Sequence, residues 1–319
     1  MAEPVDLDLR GFQPQVVDKV LRLLGVLDAI GADQVLSPVT CLHGGTALNL
    51  FVLGAPRLSV DIDLNYVGST DLETLQTERP KLEQRVVDVA ENLGFEVTAG
   101  KAEHSGRTFR LRYLGASGPD WVKIDLDYLN RSPLLGVMSK ALRLDTGTVV
   151  EFPLNSDIEL VAGKTKALVE RVAVRDLYDV NRLAAHVAYL LTAGDARLLR
   201  RVTLYYLSIS APFPRPLHIA GRFLKRQRDV VDQLYPMLRT GDRPTLDDMI
   251  SVAEKYLANA SQPSDDAEAQ YLERAAHADF FPELLFSDYP KVLTAAQTDP
   301  AARWKMRNLA KSLTTDSSR

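Results

Sequence analysis

The spacing of hydrophobic residues changes about halfway along the chain, and this change predicts two regions of different architecture. Residues 13–32 and 72–92 have apolar positions at helical spacing. Apolar and polar positions alternate, as in half-buried strands, in three shorter segments, residues 61–66, 108–113 and 121–126. Later segments are helical almost throughout, and prolines divide them into short pieces. We therefore expect a mixed α/β domain over residues 1–155 and a helical domain over residues 156–319.

Composition changes this expectation little. The chain has 319 residues, of which 46% are hydrophobic and 25% charged, as in soluble globular proteins. It contains no apolar run of the roughly 18 residues needed to cross a bilayer. Cys41 is the single cysteine, which excludes an intramolecular disulfide and a cysteine metal cluster. The first ten residues are acidic and do not have the layout of a signal peptide, so we expect a cytoplasmic protein without membrane association.

The net charge of −4 is unevenly distributed. Residues 197–243 contain ten Lys or Arg and three acids, whereas residues 244–300 contain three Lys or Arg and eleven acids. The basic segment could face a polyanion such as RNA. It could equally form ion pairs with the acidic segment, and the sequence leaves both interpretations open.

Two aspartates lie one residue apart on the predicted strand 61–66. Ile62 and Leu64 fall on one face of this strand, so Asp61 and Asp63 project together from the other. Such a pair can hold the divalent cations that nucleotidyl transfer requires. A solvated strand face carries the same pattern.

A double glycine, Gly44-Gly45, separates the strand-like segment 39–42 from a helical segment that begins at Thr46. Glycines at a helix entrance let backbone N–H groups approach a phosphate closely. A plain tight turn also explains the glycines, but it does not explain the aspartate pair that follows them.

A second alternating strand, residues 121–127, carries two more aspartates on one face. A carboxylate from a neighbouring strand would complete a two-metal site. Asp125 is the candidate, with Asp127 as the alternative, and a solvent-facing strand edge is the structural explanation for either.

The pattern Ser156-Asp157-Ile158-Glu159 is a capping box, which predicts a helix from there to about residue 171. At about 100° per residue, Lys164 and Arg171 fall on its inward face, and Lys166 lies nearly opposite, toward solvent. Buried cations need an anionic partner. A bound triphosphate would serve, and so would a salt bridge to Asp176 or Asp179.

Together these segments resemble the AbiEii family of nucleotidyltransferase toxins from type IV toxin–antitoxin and abortive-infection systems, which includes the mycobacterial MenT toxins. The resemblance covers roughly residues 40–185. It rests on Gly44-Gly45-Thr46-Ala47-Leu48, on Arg57-x-Ser59-x-Asp61-Ile62-Asp63-Leu64, and on Lys164-x-x-Ala167-Leu168-x-x-Arg171-x-x-x-Arg175-Asp176-x-x-Asp179. It implies an α/β (α+β) class with a polymerase β-like mixed sheet flanked by helices and a mostly helical C-terminal region.

The resemblance also implies roles for individual residues. We expect nucleotide binding by Gly44, Gly45, Thr46, Ser59 and Arg171, catalysis by Asp61, Asp63, Lys164 and Asp179, and metal binding by Asp61, Asp63 and Asp125. Lys164 would bind the triphosphate of an NTP substrate, and Mg²⁺ or Mn²⁺ would be the cofactor.

The leading hypothesis is a toxin that transfers NMP from an NTP to an RNA 3′ hydroxyl, in tRNA, and so blocks translation. A cognate antitoxin is an implied partner. One alternative is a transferase for a small-molecule or protein hydroxyl, because fold does not fix substrate. Another is a regulator that binds NTP without turnover.

Overall fold

The computed structural model describes residues 3–190 and 193–316. Contacts within the chain divide it into two units. The first unit comprises Met1–Ser156 with Tyr235–Asp242, and the second comprises Asp157–Leu234 with Arg243–Arg319. The short segment Tyr235–Asp242, which the sequence pattern assigns to the helical region, belongs to the first unit.

The described residues of the first unit form an eight-stranded mixed sheet. Its strands are β1 (Val5–Leu7), β2 (Thr40–His43), β3 (Asp61–Tyr66), β4 (Glu96–Ala99), β5 (Gly106–Gly115), β6 (Gly118–Asp127), β7 (Val137–Leu144) and β8 (Val149–Asn155). Their order is β1-β7-β8-β2-β3-β6-β5-β4. The pairs β1–β7, β2–β8 and β3–β6 are parallel, and the other neighbouring pairs are antiparallel.

Helices accompany this sheet. They are α1 (Pro14–Ala32), the 3₁₀ turn Ser37–Val39, α2 (Gly44–Thr46) with the π-helix Ala47–Val52 directly after it, α3 (Leu72–Asn92) and the 3₁₀ turn Tyr235–Met237. The apolar face of α1 is buried, and α1 packs closely on β8. At Gly31 a Cβ would lie 3.2 Å from the backbone oxygen of Glu151 on β8, so helix and strand approach each other closely at this glycine.

The strongest periodic segments are predicted well. The strand at 61–66 and the helix at 72–92 are confirmed, and the other two predicted strands lie within β5 and β6. Strands β1, β4, β7 and β8 are not predicted, and the segment after Thr46 is largely π-helical. Pro153 occupies β8 as the register partner of Ser139, although a proline argues against a strand at the sequence level.

All described elements of the second unit are helical. They are α4 (Asp157–Glu170), α5 (Val174–Leu190), α6 (Ala193–Ser208), α7 (Ala220–Phe223), α8 (Gln227–Asp229) with the π-helix Val230–Leu234, α9 (Leu246–Ser261), α10 (Asp266–Ala276), α11 (Glu283–Phe286), α12 (Pro290–Thr298) and α13 (Pro300–Asp316). The mixed sheet with helices and the helical second unit confirm the predicted α/β class.

Candidate active site

Three carboxylates lie on one face of the first unit's sheet, on the neighbouring strands β3 and β6. Asp61 and Asp63 are half-buried, whereas Ile62 and Leu64 are fully buried, as the alternation predicts. In the parallel β3–β6 ladder, Asp63 is the register partner of Asp125. Because register partners on neighbouring strands project from the same face, the sheet brings the three carboxylates together.

The double-glycine turn packs directly against this carboxylate face. Gly44 has a φ of +71°, in the left-handed region that favours glycine, and a Cβ there would overlap Asp63 Oδ2. A Cβ on Gly45 would lie 2.9 Å from Ser59 Oγ and 3.1 Å from Arg57 Nη2. The turn and the carboxylate face are therefore in direct contact at Gly44 and Asp63.

The polar residues around the turn are buried and partly engaged with backbone. The Thr46 hydroxyl donates to the carbonyl oxygen of Asp61 at 2.5 Å, which ties the turn to β3. Ser59 and Arg57 are buried as well, and Arg57 Nη1 donates to the carbonyl oxygen of Leu58 at 2.9 Å. Arg57 belongs to the motif that carries the family resemblance, but the predicted site does not include it.

The geometry separates the two candidates for a third carboxylate. Asp125 Oδ1 accepts a hydrogen bond from Thr108 Oγ1 at 2.6 Å, beside Asp63. Asp127 Oδ1 accepts from the backbone N–H groups of Leu129 and Asn130 at 2.6 and 3.0 Å, which is a local turn. Asp125 is therefore the candidate that the structure places with the pair.

A lysine that the predicted site does not include lies among these carboxylates. Lys123 is the register partner of Asp61 on β6, and its Nζ lies 2.8 Å from Asp125 Oδ2 and 3.8 Å from Asp61 Oδ1. Period-two alternation places Lys123 on the face of Asp125, so the sequence contains a signal for it.

The pKa values on this face depend on burial and on the charges of the neighbouring side chains. Burial raises the pKa of Asp63, and the neighbouring charges of Asp61 and Asp125 add to the rise, while His43 and Lys123 oppose it. Burial alone would lower the pKa of Lys123, but its hydrogen bond to Asp125 and the charge of Asp61 outweigh burial and raise it. The face therefore carries an excess of negative charge.

A divalent cation fits the chemistry of these donors, because carboxylate oxygens are the ligands that Mg²⁺ and Mn²⁺ prefer. Among residues 3–190 and 193–316, however, no group of three or more His, Cys, Asp or Glu side chains is arranged to hold a metal ion. The ammonium group of Lys123 contacts two of the three carboxylates in the structure.

The second unit contains a separate, deeply buried ion cluster. Lys164 Nζ lies 2.9 Å from both Asp176 Oδ1 and Asp179 Oδ2, and the three side chains are at most 4% exposed. Burial alone would raise the pKa of Asp176, but the charges of Lys164 and Arg171 outweigh it and hold that pKa well below the usual range. Of the two partners that the sequence allows for Lys164, the structure shows the salt bridge.

The expectation that Arg171 faces inward with Lys164 is wrong. Arg171 directly follows the last residue of α4, and its side chain is 64% exposed. Its Nε lies 2.5 Å from Oδ2 of the buried Asp176. Lys166, expected toward solvent, is 23% exposed and pairs with Glu170.

Several arginine side chains of the basic segment 197–243 form ion pairs or hydrogen bonds within the protein. Within the second unit, ion pairs join Arg197 to Asp288, Arg200 to Glu268, Arg201 to Asp265, Arg226 to Asp229 and Arg228 to Asp232. Arg222 donates to the last carbonyls of α4, at Val169 and Glu170. Arg215 and Lys225 have no ion pair with any described residue. Pairing with the acidic segment, one of the two interpretations left open above, therefore holds for Arg197, Arg200 and Arg201, while Arg226 and Arg228 pair within the basic segment itself.

Within the described ranges, the chain has no helix that is long and apolar enough to cross a membrane.

Two solved structures have a similar fold. MenT4, described as a nucleotidyltransferase toxin from Mycobacterium tuberculosis H37Rv, aligns with a TM-score of 0.53 and 17% identity, over 84% of this chain and 96% of that one. JHP933 from Helicobacter pylori aligns with a TM-score of 0.50 and 18% identity, over 84% of this chain and 97% of that one. At these identities the likeness concerns the fold.

The family assignment comes from the sequence profile described as "Nucleotidyl transferase AbiEii toxin, Type IV TA system", which matches residues 26–308. The chain belongs to this family of nucleotidyltransferase toxins. The match extends well beyond the residues 40–185 that carry the resemblance. Membership implies an NTP substrate and an antitoxin. A comparison with curated protein sequences finds no match.

Proposed function

We propose that this protein transfers NMP from an NTP to the 3′ hydroxyl of an RNA, with tRNA as the acceptor, and thereby blocks translation. The proposal assigns Asp61, Asp63 and Asp125 as the ligands of Mg²⁺ or Mn²⁺. It places the reaction in the cytoplasm, where tRNA is used, and includes a cognate antitoxin that neutralises the protein.

The observation that carries the proposal is the contact between the glycine turn and the carboxylate pair. Gly44 packs so closely against Asp63 that a side chain at position 44 would displace the Asp63 carboxylate, and Asp125 lies beside Asp63 on the next strand. A phosphate-approaching turn and a cation-attracting face therefore occupy one place, as a nucleoside triphosphate with its metal requires.

In the proposed reaction, the acceptor oxygen forms a bond to the α-phosphorus and the bond to the β-phosphate oxygen breaks. Pyrophosphate leaves, and the hydroxyl proton passes to solvent. A bound divalent cation would supply charge neutralisation on the triphosphate and lower the pKa of the attacking hydroxyl. Thr46 holds the backbone of Asp61 in place, and Thr108 orients the Asp125 carboxylate.

Lys164 and Asp179 keep the roles that the family resemblance implies, triphosphate binding and positioning of a substrate. Nucleotide binding by Ser59 and Arg171 also stays a prediction. The salt bridges of Lys164 give a second explanation for the presence of this lysine, because they stabilise the helical unit. Lys164→Arg keeps the positive charge beside the two aspartates, so a Lys164→Arg variant that folds but loses NTP binding would support the catalytic role.

The direct test incubates the protein with tRNA, Mg²⁺ and each labelled NTP in turn. We expect label in RNA from the wild type and from Asp127→Asn, and none from Asp63→Asn. Asp127→Asn is the matched control, because it makes the same substitution at the aspartate of β6 that is not assigned as a metal ligand. Periodate oxidation of the terminal ribose should abolish labelling. Failure of every NTP to label RNA, with protein that is toxic on expression, would overturn the proposal.

The internal pairing of the basic segment favours a second candidate, a transferase for a small-molecule or protein hydroxyl.

Substitutions at basic residues that have no ion pair among the described residues can separate the two candidates. Arg215 lines a cavity of about 390 Å³ with His218 and Arg222. An RNA transferase should lose affinity and part of its salt dependence when Arg215 and Lys225 are changed to Glu. Arg228→Glu, at a position that pairs with Asp232, is the control, and equal activity in all three proteins would favour the second candidate.

A further inference from the structure

The position of Lys123 suggests a role for it in metal binding. Its ammonium group contacts two of the three carboxylates, at 2.8 Å from Asp125 Oδ2 and 3.8 Å from Asp61 Oδ1. The side chain is 28% exposed, so solvent is available to it on one side. A lysine has a flexible four-carbon stem, which lets its charge move without a change in the backbone.

Both oxygens of Asp125 are engaged in this arrangement. Oδ1 accepts the hydrogen bond from Thr108, and Oδ2 accepts from Lys123. A divalent cation that binds Asp125 through Oδ2 would meet the ammonium group at hydrogen-bond distance. Two positive charges that close repel each other strongly at a partly buried position.

We propose that Lys123 is a displaceable counter-cation, which neutralises the carboxylate face without metal and has to leave Asp125 when a divalent cation binds. This inference rests on the proposed function, because it takes Asp61, Asp63 and Asp125 as the metal ligands. Lys123 is then a positioning residue that sets the metal affinity of the site. It keeps the face intact in the free protein and weakens cation binding.

The first test measures Mn²⁺ binding by calorimetry, without NTP. We expect Lys123→Met to bind Mn²⁺ about tenfold more tightly than the wild type, because one competing charge is gone. Lys123→Arg keeps the charge and should bind no more tightly than the wild type. Lys19→Met, which breaks the Lys19–Asp120 ion pair elsewhere in the same unit, should leave the affinity unchanged. Lys123→Gln replaces Lys123→Met if the latter does not fold.

A second test uses the unmodified protein. The protein is treated with a limiting amount of an amine-reactive acetylating reagent, and the acetylated lysines are quantified by mass spectrometry. Acetylation of Lys123 should increase when Mg²⁺ is added, because the side-chain amine that leaves Asp125 becomes exposed to solvent. Lys19 should react equally with and without Mg²⁺. Unchanged or reduced acetylation of Lys123 at a Mg²⁺ concentration at which calorimetry shows Mg²⁺ binding would overturn the inference.

The outcomes separate the inference from the proposed function. If the wild type binds Mn²⁺ and Lys123→Met or Lys123→Gln binds it equally or more weakly, the inference falls and the metal site stands. If neither binds Mn²⁺, the proposed metal site is wrong and the inference falls with it. If Mn²⁺ binding behaves as expected but no NTP labels any RNA, the inference stands and the RNA reaction is wrong.

Discussion

The carboxylate face of the first unit and the ion cluster of the second are built from similar groups, but they differ in the ratio of acidic to basic side chains. The face has three aspartates and one lysine, and its side chains are partly exposed. The cluster has Lys164 and Arg171 for two aspartates, and its lysine and aspartates are almost completely buried. The pKa of Asp63 is raised mainly by burial, whereas that of Asp176 is lowered despite burial. The face has more acidic than basic groups, which suits binding of an added cation. In the cluster, Lys164 and Arg171 already provide the positive charge that balances the two aspartates.

The largest expected effect is that of Asp63→Asn on nucleotidyl transfer. We expect a loss of about a thousandfold or more, because the central carboxylate of the face is removed. Folding should be retained. The raised pKa of Asp63 means that its ionised form destabilises the fold above that pKa, so the variant should be more stable at neutral pH. This gain should shrink as the pH falls through the same pKa. Transfer assays and thermal unfolding check both expectations, and a variant that keeps wild-type activity would contradict the metal assignment.

The second prediction concerns Asp176→Asn, which breaks the cluster. Removing one partner of a buried ion pair should lower the free energy of unfolding by about 3 kcal/mol. Because the pKa of Asp176 is lowered in the folded state, this stabilisation is present above the ordinary pKa of an aspartate and is lost as the pH falls through the folded-state value. Denaturant unfolding at neutral and acid pH measures the difference. Asp232→Asn, at an exposed pair with Arg228, should change little, and equal effects of the two substitutions would contradict the comparison.

The third prediction concerns the glycine turn. Gly44→Ala should cost about 1–3 kcal/mol of stability, because it combines a positive φ with overlap on Asp63. It should also reduce transfer, since Asp63 has to move. Gly94→Ala has a similar φ of +84° but open space around its Cβ, so it should be the milder change and leave transfer intact. Equal loss of transfer in both variants would show that backbone strain alone, and not contact with Asp63, accounts for the effect.

The smallest expected effect is that of Thr108→Val, which removes the hydrogen bond to Asp125 Oδ1. We expect about tenfold weaker Mn²⁺ binding, as is usual when a group that orients a metal ligand is lost. This change is opposite in sign to that expected for Lys123→Met. Thr98→Val, at an exposed position on β4, is the control. An increase in affinity for Thr108→Val would contradict the orientation of Asp125 described above.

Local sequence pattern predicts part of this site and long-range pairing supplies the rest. Alternation alone places Asp61 and Asp63 on one face, because it depends on neighbouring residues. The register that sets Asp63 beside Asp125 joins strands far apart in sequence, and no local pattern fixes it. Helical periodicity predicts the burial of Lys164 correctly, but it extrapolates to Arg171 beyond the end of α4. The choice between a triphosphate and a salt bridge for Lys164 likewise depends on a second helix.

The central claim is that Asp61, Asp63 and Asp125 hold a divalent cation. Its most direct test is Mn²⁺ titration of the wild type, Asp63→Asn and Asp127→Asn, followed by calorimetry. We predict equal affinity for the wild type and Asp127→Asn, and binding at least about a hundredfold weaker for Asp63→Asn. Wild-type affinity in Asp63→Asn, or loss of binding in Asp127→Asn alone, would contradict the assignment.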